Sequence, residues 1–163
     1  MIAAPGPIYP WPIGTGPRYH PTAVNSAAAT GAPIGRLRCT SGGRMFAVHV
    51  ELFARRRVVI VPPGIGAGPR GCSYPLRTDE PTGIVHVRAD RRYVLGDLFE
   101  VWGRRLGPQA LLSFTGRVSV YVDGRPFSGN PHSVPLRKHA EIVVEIGGHV
   151  APHPSYLFPK GAG

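Results

Sequence analysis

The sequence predicts an α+β domain in which a mixed sheet of about five strands carries one short helix packed across it. Three features point there. Short runs alternate apolar and polar residues, one stretch repeats its apolar residues at helical spacing, and 22 glycines and 19 prolines punctuate the chain between them.

Residues 1–35 hold seven prolines and five glycines with neither period, around the tract Ser26-Ala27-Ala28-Ala29-Thr30. Such a segment buries too little apolar surface to offset its ordering entropy, so a disordered or extended arm is expected there. On that reading residues 36–163 form a single domain and the arm is removable, with Tyr9, Trp11 and Tyr19 as aromatic residues on it.

Order begins near Met45. Phe46, Val48, Val50 and Leu52 fall on one face of a strand and Ala47, His49, Glu51 and Phe53 on the other. The basic turn Arg55 to Arg57 leads into the β-branched run Val58-Val59-Ile60-Val61, which Pro62 and Pro63 stop, so the two runs predict a hairpin. The chain from Pro62 to Gly71 reads as a loop. Gly83 to Arg88 alternates again, with Ile84, His86 and Arg88 on one side. Leu95, Leu98, Phe99 and Trp102 lie at i, i+3, i+4 and i+7, the pattern of a two-turn amphipathic helix, and Gly103 ends it. Val118 to Val122 before Asp123-Gly124 is a strand entering a tight turn, and Glu141 to Ile146 before Gly147-Gly148 is the last strand. From His149 the chain is an irregular, Pro-containing tail.

A hairpin, a helix across the sheet and further strands resemble the β-grasp architecture. Val120-Tyr121-Val122-Asp123-Gly124 with Ala140-Glu141-Ile142-Val143-Val144 is similar to the closing half of such domains. A Gly- and Pro-rich barrel or sandwich remains an alternative.

The formal charge is +10, from 19 basic residues against 9 acids, and the first acid is Glu51. Scattered arginines in a Gly/Pro-rich chain fit a GC-rich coding bias, and no nucleic-acid reader motif is present, so specific nucleic-acid binding is not expected. An envelope protein, an anionic polymer or a lipid surface fits the charge. No run of eighteen apolar residues predicts a membrane span, and Met1 to Gly16 lacks the layout of a signal peptide. The two cysteines, Cys39 before the first strand and Cys72 in the loop after the hairpin, are both able to reach one end of the sheet. They are expected to form a disulfide, which implies an extracytoplasmic setting, secreted or in the cell envelope.

Cys39 with the stretches Phe46 to Leu52, Pro62 to Gly66, Cys72 to Val87, Val94 to Gly103, Val120 to Pro131 and Ser155 to Gly161, a span from Cys39 to Gly161, resembles a poorly characterised family of bacterial exported proteins. Family members carry a first strand reading H-x-H-x-H-L and a loop reading L-H-T-H-D-x-S-G-I-I-H-I-E, which together imply a metal site. This chain departs from both motifs. His49 remains in the strand, flanked by Ala47 and Glu51, and the loop has Arg77, Asp79 and Glu80 in place of His, His and Asp. His86 is retained, and Arg88 replaces an acid.

His49, Glu51, Asp79 and His86 would make a mixed nitrogen and oxygen site for zinc or another divalent ion. Arg77 and Arg88 oppose a dication there, and the competing expectation is a polar cluster of His49, Glu51, Arg77, Asp79, Glu80, His86 and Arg88. In that cluster Arg77 or Arg88 pairs with Glu51 or Asp79. Other chemistry has less support. The glycines of Pro63 to Gly68 lack the lysine and helix of a P-loop, and His132, His139, His149 and His153 read as solvent-exposed. The resulting expectation is a non-catalytic extracytoplasmic binding or structural domain. The alternative is a metal-binding protein or metal-dependent hydrolase using His49, Glu51, Asp79 and His86.

Overall fold

The structure is a computed structural model and describes residues 19–23 and 25–163. Its centre is the first long strand, β1 (Met45–Ala54), whose alternating side chains serve two different layers. A two-residue turn at Arg55-Arg56 returns the chain into β2 (Arg57–Val59), which pairs antiparallel with the last three residues of β1. This hairpin is shorter than expected. Ile60 donates its N–H to the carbonyl of Tyr19 instead of continuing the ladder.

After the loop come β3 (Leu76–Arg77) and β4 (Ile84–Arg88), and β4 runs antiparallel to the first half of β1. The helix α2 (Leu95–Trp102) follows, then β8 (Val118–Val122), β9 (Arg125–Pro126) and β10 (Glu141–Ile146). Between α2 and β8 the chain folds a small antiparallel sheet of β5 (Leu106–Gly107), β6 (Ala110–Leu111) and β7 (Phe114–Thr115), which the sequence reading lacks. Strands of two residues have no period to read. The main sheet is mixed and has the order β3-β4-β1-β10-β8-β9, with β2 also on β1. β1 and β10 are parallel, with His49 opposite Glu141 and Ala54 opposite Ile146.

One face of this sheet presents Val48, Val50 and Leu52 from β1, Val85 and Val87 from β4, and Ile142, Val144 and Ile146 from β10. Leu98, Phe99 and Trp102 of α2 pack on it, almost fully buried, as the helical spacing predicts. Asp97 fixes the start of the helix by accepting the Val94 N–H at 2.9 Å, and Gly103 ends it in a left-handed conformation. The opposite face carries Ala47, His49 and Glu51 and is covered by the C-terminal tail, where Tyr156 is buried with Ala47 and Ile84.

The expected arm departs from the structure over its described part. Asn25 caps a short helix, α1 (Ser26–Thr30), by accepting the Ala27 N–H, and Ala28 is buried in the main core. Buried donors of the domain hold this segment down. Trp102 Nε1–H donates to the Thr22 carbonyl at 2.7 Å, and the Tyr74 hydroxyl donates to the Ala32 carbonyl at 2.5 Å. A composition without periodicity lacks a core of its own but can still supply carbonyls and small side chains to another one. Tyr9 and Trp11 lie outside the described residues. Cys39 and Cys72 form the expected disulfide, with Cα atoms 5.3 Å apart. Gly68 abuts both sulfurs, where a Cβ would collide with them.

Candidate site under the C-terminal tail

The parallel register of β1 and β10 places His49 and Glu141 side by side on the face away from α2. Both are buried, and His49 Nδ1 lies 2.8 Å from Glu141 Oε2. His49 Nε2 is 2.9 Å from the Thr82 carbonyl, which only accepts, so Nε2 carries a proton. Gly83 makes this approach feasible. Its φ is +84°, and a Cβ there would press on the Val50 carbonyl and on His49 Nε2. Tyr156 from the tail closes the other side, stacked on the imidazole with centroids 3.6 Å apart.

Burial dominates the electrostatics of this pair. Removal from water pushes the Glu141 carboxyl up to about 11, with a hydrogen bond to the Glu51 carboxyl and then the charges of Glu51 and Asp123 adding to the effect. The same burial lowers His49 to about 4, against a smaller opposing pull from Glu51. The neutral pair therefore holds one proton between Oε2 and Nδ1, and an imidazolium–carboxylate pair is the alternative placement of that same proton. Glu141 Oε1 is buried without a hydrogen-bond partner.

Glu51, two residues along β1, faces the same space. Ligand atoms of His49, Glu51 and Glu141 all lie within 4.8 Å of one another, so the three could hold one metal ion. The His153 imidazole from the tail is bonded to Glu51, Nδ1 to Oε2 at 2.7 Å. Further along β10, Glu145 is buried and binds His149 Nδ1 at 2.7 Å and the Val150 N–H at 2.9 Å. Carboxylates of the sheet thus fasten the tail at both histidines.

The seven residues expected in one cluster separate into three places. His49 and Glu51 are together, joined by Glu141. His86 pairs with Ala47 in the β1–β4 register, two residues from His49 toward the strand's start, and Arg77 pairs with His86 from the far side of β4. Asp79 joins those two, 3.5 Å from His86 Nε2 and 3.2 Å from Arg77 Nε, so the expected Arg77–Asp79 contact is present. Asp79, Glu80 and His86 line a cavity of about 240 Å³ beside Lys160 of the tail.

Arg88 lies elsewhere. It pairs with Met45, and its guanidinium donates to Thr40 and Ser73 beside the disulfide, with no carboxylate bridged among the described residues. Of the expected set His49, Glu51, Asp79 and His86, the structure brings His49 and Glu51 together with Glu141, while Asp79 and His86 pair with each other beside Arg77. The sequence reading missed Glu141, Thr82, His153 and Tyr156. Its one available signal was Glu141 and Glu145 standing at the same parity inside an apolar strand, a costly place for two carboxylates.

No family model, curated protein or solved structure matches this chain. Among the described residues no helix is long and apolar enough to cross a membrane.

Proposed function

We propose that the protein is a non-catalytic, extracytoplasmic binding domain of β-grasp-like architecture whose ligand is a divalent transition-metal ion held by His49, Glu51 and Glu141. The observation that carries this reading is Glu141 Oε1, a buried carboxyl oxygen with no partner, set among donors that already converge. Such an atom is costly to leave unsatisfied, and a cation would satisfy it. The donor set of one imidazole nitrogen and two carboxylates suits zinc or manganese. The Thr82 carbonyl holds Nε2–H and leaves Nδ1 facing Glu141, while His153 orients Glu51 from outside; such supporting bonds are what ligands need. The β-grasp comparison rests on the parallel pairing of β1 with β10 between antiparallel β4 and β8, with α2 on one face. The disulfide supports an oxidising compartment.

Cover by Tyr156 favours binding over hydrolysis, because a substrate would have to displace the tail to reach the ion. The test is calorimetric titration of the full chain with zinc and manganese. Stoichiometric binding that is lost in both His49→Ala and Glu141→Gln is expected, with folding of the variants checked by circular dichroism. Absence of binding by the native chain, or binding that survives both substitutions, overturns the proposal.

A further inference from the structure

The turn between β1 and β2 poses a physical question that the metal reading does not touch. It is a two-residue hairpin loop, Arg55-Arg56, with φ of +51° and +64°. Positive φ at both positions is the geometry that favours Asn-Gly, and an L residue with a long side chain occupies it at a cost. Arg57 follows at once, so three exposed arginines stand together at one tip. Arg55 N–H donates to the Ile146 carbonyl at 2.8 Å, and Ile146 pairs with Val118 of β8, which brings Arg117 to the same end of the sheet. Arg105 reaches the Leu112 carbonyl in the adjoining small sheet, next to Phe114, whose ring lies 5.8 Å under the Arg55 guanidinium.

None of these five arginines bridges a carboxylate among the described residues, where the Arg–carboxylate pairs are Arg36 with Asp97 and Arg77 with Asp79. The acid near this end, Glu145, is buried and engaged by His149.

We infer that this end of the sheet, led by the Arg55-Arg56-Arg57 tip, docks on the phosphate surface of an anionic phospholipid membrane. Guanidinium forks match phosphate oxygens bidentately and stay charged at any physiological pH. Three separate chain segments supply the charges, which suits an extended anionic plane better than a single small anion. The disulfide fits an oxidising compartment, where membrane surfaces present phosphates.

The experiment is co-sedimentation of the full chain with vesicles of phosphatidylcholine alone and of phosphatidylcholine with about one third phosphatidylglycerol. Binding to the anionic vesicles alone, weakened by salt, is the expected result. Arg55→Asn/Arg56→Gly installs the residues the turn prefers, so the variant should melt no lower than the native chain. It should also bind anionic vesicles about 25-fold more weakly, at about fivefold per arginine lost. Arg91→Gln/Arg92→Gln, an equal change of net charge beyond the end of β4 that pairs with the start of β1, should bind within about twofold of native. No binding to anionic vesicles, equal losses in the two variants, or a preference for duplex DNA that leaves vesicle binding insensitive to the tip would each overturn the inference.

Discussion

His49 and Glu141 share a proton where water would otherwise solvate two charges, and the consequence is a pH dependence of stability. Burial keeps Glu141 protonated up to about 11 and His49 neutral down to about 4. Between their ordinary values of 4.5 and 6.5, the unfolded chain binds one proton, on histidine, and the folded pair also binds one, so the pair contributes no slope. Above 6.5 the unfolded chain releases its proton while the folded pair keeps it. Stability of the metal-free protein therefore falls as pH rises toward the raised Glu141 value, by at most roughly 1 to 1.5 kcal/mol per pH unit. Urea unfolding across the neutral to alkaline range measures this. The expected result is a downward slope in the native chain and its loss in Glu141→Gln, whereas parallel slopes in both would show that Glu141 ionises normally.

At the scale of elements, the helix and the long strands are legible because their apolar residues repeat over two or more periods. Leu95, Leu98, Phe99 and Trp102 occupy the face that the spacing assigns them. Half of the site is legible in the same way, since alternation puts His49 and Glu51 together on the face away from the core. The rest depends on which strands become neighbours. That β10 lies beside β1 with His49 level with Glu141 follows from a parallel crossover between residues 92 apart, which no local period encodes. The tail's contribution is hidden for another reason. Tyr156 and His153 sit in irregular chain and gain their roles from docking alone.

The segment before Arg36 shows the same limit, and a test follows. A chain beginning at Arg36 would leave Trp102 Nε1–H and the Tyr74 hydroxyl buried without the Thr22 and Ala32 carbonyls. Each orphaned donor costs about 1 to 3 kcal/mol, so the shortened chain should melt well below the full one. Equal melting temperatures would mean that these two bonds contribute nothing.

For the molecule as a whole, the disulfide is the main covalent constraint. Cys39 and Cys72 are 33 residues apart, and closing a loop of that size stabilises a fold by roughly 3 to 4 kcal/mol in the chain-entropy model. The unreduced protein should show no free thiol, and Cys39→Ser/Cys72→Ser should lower the denaturant midpoint without changing the fold. Two titratable thiols in the native protein would contradict the bridge. The same region accounts for Arg88, which ties Thr40 to Ser73 immediately beside the sulfurs and thereby serves the crosslink rather than the cluster of His49, Glu51 and Glu141.

The parallel pairing of β1 and β10 also dictates the order in which the protein can be made. Residues 49–54 find their parallel partners in residues 141–146, so the hairpin and the crosslinked cysteines all lie in the chain long before the strand that fills the centre. Until the last strand emerges, one edge of β1 is open and the apolar sides of β4 and β8 lack the strand that joins them. Open edges of this kind recruit other chains. Completion of the sheet therefore waits on its last strand, and the open edge of β1 is closed only when residues 141–146 have docked.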